Sequence, residues 1–175
     1  MEIVELGYGG KLRSKWVEYS GRGYNLVEKI KLRGIGSPRL IYYGGLSRFD
    51  VVSNRSNDTN YVNIELFRAG LALRLKKEDL FVCALIPKAD LQEVDFETFK
   101  IKIYYNGKEI VKSAARISLL LESHKIDLLL GAAYYKPGLA FFKKTFFENS
   151  ISFRIDPSPP MDENGFDAGI FELFI

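Results

Sequence analysis

His124 and Cys83 are the single histidine and the single cysteine of this chain. Nucleophilic catalysis of the Ser-His-Asp or Cys-His kind needs an imidazole beside its nucleophile and a third group to orient it. No G-x-S-x-G turn is present, and Cys83 sits inside the apolar run Phe81–Ile86. His124 therefore reads as a structural histidine. One cysteine excludes an intramolecular disulfide, and with one histidine it leaves no zinc ligand set. Asp162-Glu163-Asn164-Gly165-Phe166-Asp167 looks superficially like a calcium loop. It lacks both the D-x-[DN]-x-[DN]-G spacing and a bidentate Glu at the loop end, so a polar turn explains it as well. The glycine groups form neither G-x-x-x-x-G-K-[ST] nor a G-x-G-x-x-G between strand and helix, and phosphate cradles of those kinds are not supported. No cofactor and no metal is expected.

Three tyrosine pairs remain: Tyr42-Tyr43, Tyr104-Tyr105 and Tyr134-Tyr135. On a strand, such a pair puts one ring inside and one outside. Outward rings near Lys100, Lys102 or Arg39 could stack on bases or sugars, but covering a sheet or lining a partner interface is their commoner use.

The elements that would position these residues are mostly strands. The chain has 175 residues, with 13 Phe and 10 Tyr, which suits one domain rich in pleated surface. Residues 1–34 read as short strands punctuated by glycine, with Tyr24–Leu32 alternating. Leu40–Val52 reads as an extended stretch with a bend at Gly44-Gly45, and residues 53–60 as a polar loop. Val62, Ile64 and Leu66, then Leu71, Leu73 and Leu75, alternate on either side of a turn at Ala69-Gly70. Phe81–Ile86 suits a buried strand that Pro87 ends. Phe99–Tyr105 and Lys108–Lys112 flank Asn106-Gly107, the pair that supplies both positive φ angles of a type I′ hairpin turn. Residues 113–131 fit two patterns, a helical stripe and a strand alternation. Their Ala and Leu content tilts the expectation to a helix. Leu139–Phe147 reads as helix or strand and Ile151–Ile155 as a strand. A single β-rich domain over 1–155 is expected. Residues 156–175 would add a Pro-rich linker and a packed C-terminal strand.

Net charge is +3, unevenly spread. Residues 1–48 carry +5, residues 49–155 carry +3 and residues 156–175 carry −5. Attraction between the two ends, or a basic patch for an anionic partner, would each account for this. The opening residues show no basic segment followed by an apolar run, and no stretch is long enough to span a bilayer, so a cytoplasmic location is expected.

The segments Tyr61–Leu75 and Leu80–Val94 resemble bacterial PH-like and GRAM-like domains. The shared pattern is an alternating strand, a glycine turn, a second strand, and an I-P-x-x-D-[IL]-x-x-[IV] strand end. Ile86, Pro87, Asp90, Leu91 and Val94 match that end. The resemblance covers residues 38–131 and implies a bent antiparallel barrel capped by a helix, used for binding lipids or proteins. The cyclic-dinucleotide-binding PilZ pattern, by contrast, fails where Phe67 replaces its serine. The expected fold is thus mainly β, an antiparallel sheet or bent PH-like barrel with one or two helices. The expected function is non-enzymatic binding, with a protein partner first, an anionic lipid surface second and nucleic acid behind both. An immunity or inhibitor protein against a toxin, and an enzyme with a motif-less carboxylate or Tyr/Lys site, are the rivals. The PH-like reading puts an anion-binding edge at Arg48, Arg55, Lys76 and Lys77.

Overall fold

The computed structural model describes residues 1–6, 20–32, 34–53, 59–77, 80–106, 108–147 and 152–157, with backbone alone at 51–53, 77, 103–105, 147 and 152–157. Among the described residues nine strands form one sheet: β1 (Glu2–Leu6), β2 (Leu40–Gly44), β3 (Tyr61–Phe67), β4 (Gly70–Lys77), β5 (Leu80–Pro87), β6 (Leu91–Tyr105), β7 (Lys108–Leu121), β8 (Lys125–Leu130) and β9 (Ser152–Pro157). Their order is β1-β5-β4-β3-β2-β8-β7-β6-β9. Every pairing is antiparallel except β6 with β9. The described helices are short: α1 (Leu26–Lys31), α2 (Ser47–Ser53) and α3 (Tyr135–Phe142), the last running into a π-turn over Lys143–Phe147. The fold is mainly β with a few short helices, as the sequence indicates, three of them among the described residues.

The sheet cannot be flat. β5 and β6 stand six places apart in the strand order, about 29 Å at ~4.8 Å per strand. Yet only Lys88–Asp90, a single 3₁₀ turn, joins them, and four peptide steps reach at most about 15 Å. The sheet must therefore curl until the end of β5 approaches the start of β6. Its inner faces then share one core. Leu73 of β4, Ala84 of β5, Phe96 of β6, Ile117 of β7 and Leu128 of β8 all belong to it at 0% exposure. Phe142 and Phe146 fill the centre, stacked 5.6 Å apart, and Phe142 also meets Phe96 at 5.7 Å. Gly138 lets α3 approach, because a Cβ there would collide with the Leu130 side chain.

Several expectations hold locally. β3 and β4 form the predicted hairpin, with Phe67 opposite Gly70. Asn106 has φ +50°, and Tyr105 pairs with Lys108, as the Asn-Gly turn requires. Others are corrected. Residues 113–131 are not a helix: they lie in β7 and β8, paired from Ala115↔Leu130 to Leu120↔Lys125. The alternation wins because Ala115, Ile117, Leu119 and Leu121 all point into the core, a long-range gain that outweighs helix propensity. Residues 24–32 are not a strand. Asn25 caps α1 by accepting from the Glu28 N–H (2.9 Å), while Glu28 accepts from the Asn25 N–H (2.8 Å). Leu40–Val52 is extended only to Gly44. Gly45 turns the chain at φ +108°, and α2 follows. The buried Tyr42 hydroxyl fixes that turn by accepting from the Leu46 N–H (2.6 Å) and donating to Asp50 (2.7 Å). Asp156 and Pro157 belong to β9, and the rest of the expected linker and closing strand lies outside the described residues.

Replacing Phe142 by Ala empties the centre of the curled sheet. It should lower unfolding free energy by about 3–5 kcal/mol, read as a reduced urea midpoint at unchanged m-value.

Candidate functional site

Beside the turn joining β3 to β4 lies a cavity of about 50 Å³ bordered by Tyr24, Phe67, Arg68, Lys88, Thr145 and Phe146. It has room for a few waters and is too small for a cofactor or drug-sized ligand. Tyr24, on its border, leads directly into α1.

Three side chains of α1 are out of place by the ordinary rules of burial. Leu26 is 73% exposed, Val27 61% and Ile30 68%. At ~100° per residue they fill one arc of about 100° on the helix. Lys29 and Lys31 flank that arc on its two sides, and Glu28 points the other way. Glu28 bridges Arg68 in the β3–β4 turn, and Arg68 also lies over the Tyr24 ring at 5.8 Å. The Lys144 ammonium donates to the Leu32 carbonyl at the helix end. The Glu28 carboxyl is held below its ordinary range, first by the Asn25 N–H and then by Arg68 and Arg22. The helix is thus capped and pinned by its back while its apolar arc faces water.

The sequence-predicted residues sit elsewhere. Arg48, on α2, pairs with Glu5 of β1 at 2.6 Å. The Lys76 ammonium lies 5.1 Å from the centre of the Phe81 ring. Glu5 shares its strand face with Ile3, which packs on the main core. Lys76 shares the opposite sheet face with Ala72 of the smaller Val4–Leu6–Cys83 cluster. Arg48 and Lys76 therefore project from opposite sides of one end of the sheet. The Lys77 backbone pairs with Leu80, and Arg55 lies outside the described residues. The Asp162–Asp167 segment also lies outside them. Among the described residues, no group of three His, Cys, Asp or Glu side chains is gathered as metal ligands would be. No described helix is long and apolar enough to cross a membrane.

His124 is exposed in the turn between β7 and β8, its Nδ1 2.6 Å from the Ser123 hydroxyl. Cys83 is buried, and burial pushes its thiol up to about 12, against the pull of the Arg74 charge. Tyr42 and Tyr43 point in and out as strand neighbours should. Tyr134 and Tyr135 both pack on the core, because they occupy a helical turn instead of a strand.

A polar network crosses the outer face of β7 and β8. Arg116 donates to Asp127 at 2.8 Å, Ser118 donates to it at 2.5 Å, and Lys125 stands 3.6 Å away. Burial alone would raise the Asp127 carboxyl, but these bonds and charges hold it below its ordinary range. Arg116 lies 5.9 Å from the centre of the Tyr43 ring. These groups are spent on each other, which makes the network a strand clamp and not a reactive centre.

The chain matches no protein-family model, no curated protein and no solved structure.

Two outcomes follow from these environments. At pH 8 the Cys83 thiol should not react with a thiol reagent in the native protein and should react fully in denaturant, since only the thiolate is nucleophilic. Asp127 is depressed in the folded state, so its stabilisation is present above the unfolded carboxyl range near pH ~4 and is lost as pH falls through the folded value. Asp127→Asn should lower stability by about 1–2 kcal/mol at pH 7, as expected for a half-buried pair, and flatten the loss of stability seen on acidifying the parent. Denaturation midpoints at pH 7 and pH 3 would show it.

Proposed function

We propose that this chain is a non-enzymatic binding protein that docks on a protein partner through the apolar arc of α1. The carrying observation is that Leu26, Val27 and Ile30 are mostly exposed on a helix that is otherwise capped and anchored. Ile30 lies three residues from Val27 and four from Leu26, spacings that anchor a helix laid into a groove. Full burial of the three side chains would supply about 5 kcal/mol before the costs of association. Neither the small cavity nor the surface polar clusters offer a competing catalytic arrangement among the described residues. The PH-like resemblance points in the same direction, towards binding. A second reading, an anionic membrane surface, is favoured by one observation: Lys29 and Lys31 flank the arc, where they could meet lipid headgroups while the aliphatics enter the interface.

Leu26→Asp combined with Ile30→Asp separates these readings. Both sites are exposed, so stability should change by no more than about 0.5 kcal/mol per site. In native extract, the unmodified chain should run by size exclusion with a stoichiometric partner, and the double variant should run free. Flotation with phosphatidylserine vesicles in place of a protein complex would select the membrane reading. Identical behaviour of both chains in both assays removes α1 as a docking face.

A further inference from the structure

The β6–β7 hairpin is longer than its neighbours. β9 pairs with β6 only over Glu93–Thr98, and β8 pairs with β7 only over Ala115–Leu120. Seven further rungs, from Phe99↔Ala114 to Tyr105↔Lys108, continue past both partners among the described residues. That is a two-stranded ribbon about 20 Å long at ~3.4 Å per rung. A lone ribbon is marginal in water, so its base needs anchoring. Phe99 and Ala114 provide this, buried with Ile41 of β2 and Leu129 of β8, and Ile101 packs on the same cluster.

Beyond the anchor the ribbon is basic. Residues 100–112 hold Lys100, Lys102, Lys108 and Lys112 against one acid, Glu109. Their net charge of +3 equals that of the whole chain, so all other residues sum to zero. All four lysines are exposed. Lys100 and Lys102 project from one face, held by Ser113 (2.8 Å) and Glu109 (3.3 Å). By register, Lys108 and Lys112 belong to the other face. Lysine is depleted in protein–protein interfaces, whereas phosphate backbones are met by such point charges. A two-stranded ribbon also has the width that the major groove of duplex DNA admits.

We infer that the β6–β7 ribbon is a nucleic-acid-binding arm that contacts the phosphate backbone through Lys100, Lys102, Lys108 and Lys112. Binding is electrostatic and independent of sequence. It is also independent of the apolar arc of α1.

Fluorescence anisotropy of a labelled 20-base-pair duplex and a 20-nucleotide single strand tests this with the full chain. Duplex binding should be measurable at 50 mM salt and weaken about 40- to 150-fold by 200 mM, as three or four neutralised phosphates require. Changing the four lysines to Gln should weaken binding at least tenfold at 50 mM and flatten the salt dependence. Lys29→Gln with Lys31→Gln should change neither. No binding at 50 mM, an unaffected four-lysine variant, or an equal loss in the α1 variant overturns the assignment. Binding of labelled polyglutamate with no binding of either nucleic acid overturns it in favour of an acidic protein.

Discussion

The three-residue link between β5 and β6 constrains everything else in this molecule. Strands that lie far apart in the hydrogen-bonded order are tied together at their ends, and the sheet has to curl to allow it. Curling turns one face of almost every strand towards a common centre. The centre must then be filled, and the chain fills it with aromatic rings from α3 and the π-turn that follows. Among the described residues, Phe142 and Phe146 pack tightly against the inner faces of the strands. Polar side chains are pushed to the outer face, where Arg116, Ser118 and Asp127 bond to each other across β7 and β8.

The same constraint explains which parts of the fold the sequence discloses. Where strands pair with their sequence neighbours, the alternation of β3 and β4 and the Asn106-Gly107 turn suffice. The order of the strands is another matter, since β2 joins β8 and β1 joins β5 through contacts that no local pattern encodes. β7 shows the limit well. Its Leu and Ala content suits a helix, and only the core that the curled sheet creates decides for the strand. α1 was legible in principle. Asn25 and Glu28 have capping-box spacing, and Gly34 terminates the turn at φ +101°, yet the alternation of Leu26, Glu28, Ile30 and Leu32 mimics a strand.

The candidate surface was harder to foresee, and for a physical reason. The basic residues singled out by position along the chain, Arg48 and Lys76, end up on opposite sides of the sheet, a parity that depends on strand register. By contrast, Leu26, Val27 and Ile30 look like core residues in any sequence reading. Only the fold shows that no described element covers them. Exposure of an aliphatic residue is invisible to patterning, because patterning assumes that aliphatics are inside.

Two places break the local rules that the rest of the chain follows, and neither break helps folding. Val and Ile are poorer helix formers than Lys or Glu, so a short exposed helix would be steadier with polar residues at positions 27 and 30. A two-stranded ribbon that runs past its neighbours gains little burial and places several like charges near one another. Elsewhere the agreement between propensity, pattern and packing is close: the Tyr42 hydroxyl is bonded, Gly45, Gly70 and Gly138 sit where a Cβ would collide, and Glu28 and Asp127 are paired. A chain that meets its constraints so consistently has no stability reason to leave an apolar arc and a basic arm in water. Departures of this kind are where function is expected to be stored, and here they are a helix face suited to a partner and a ribbon suited to polyanions.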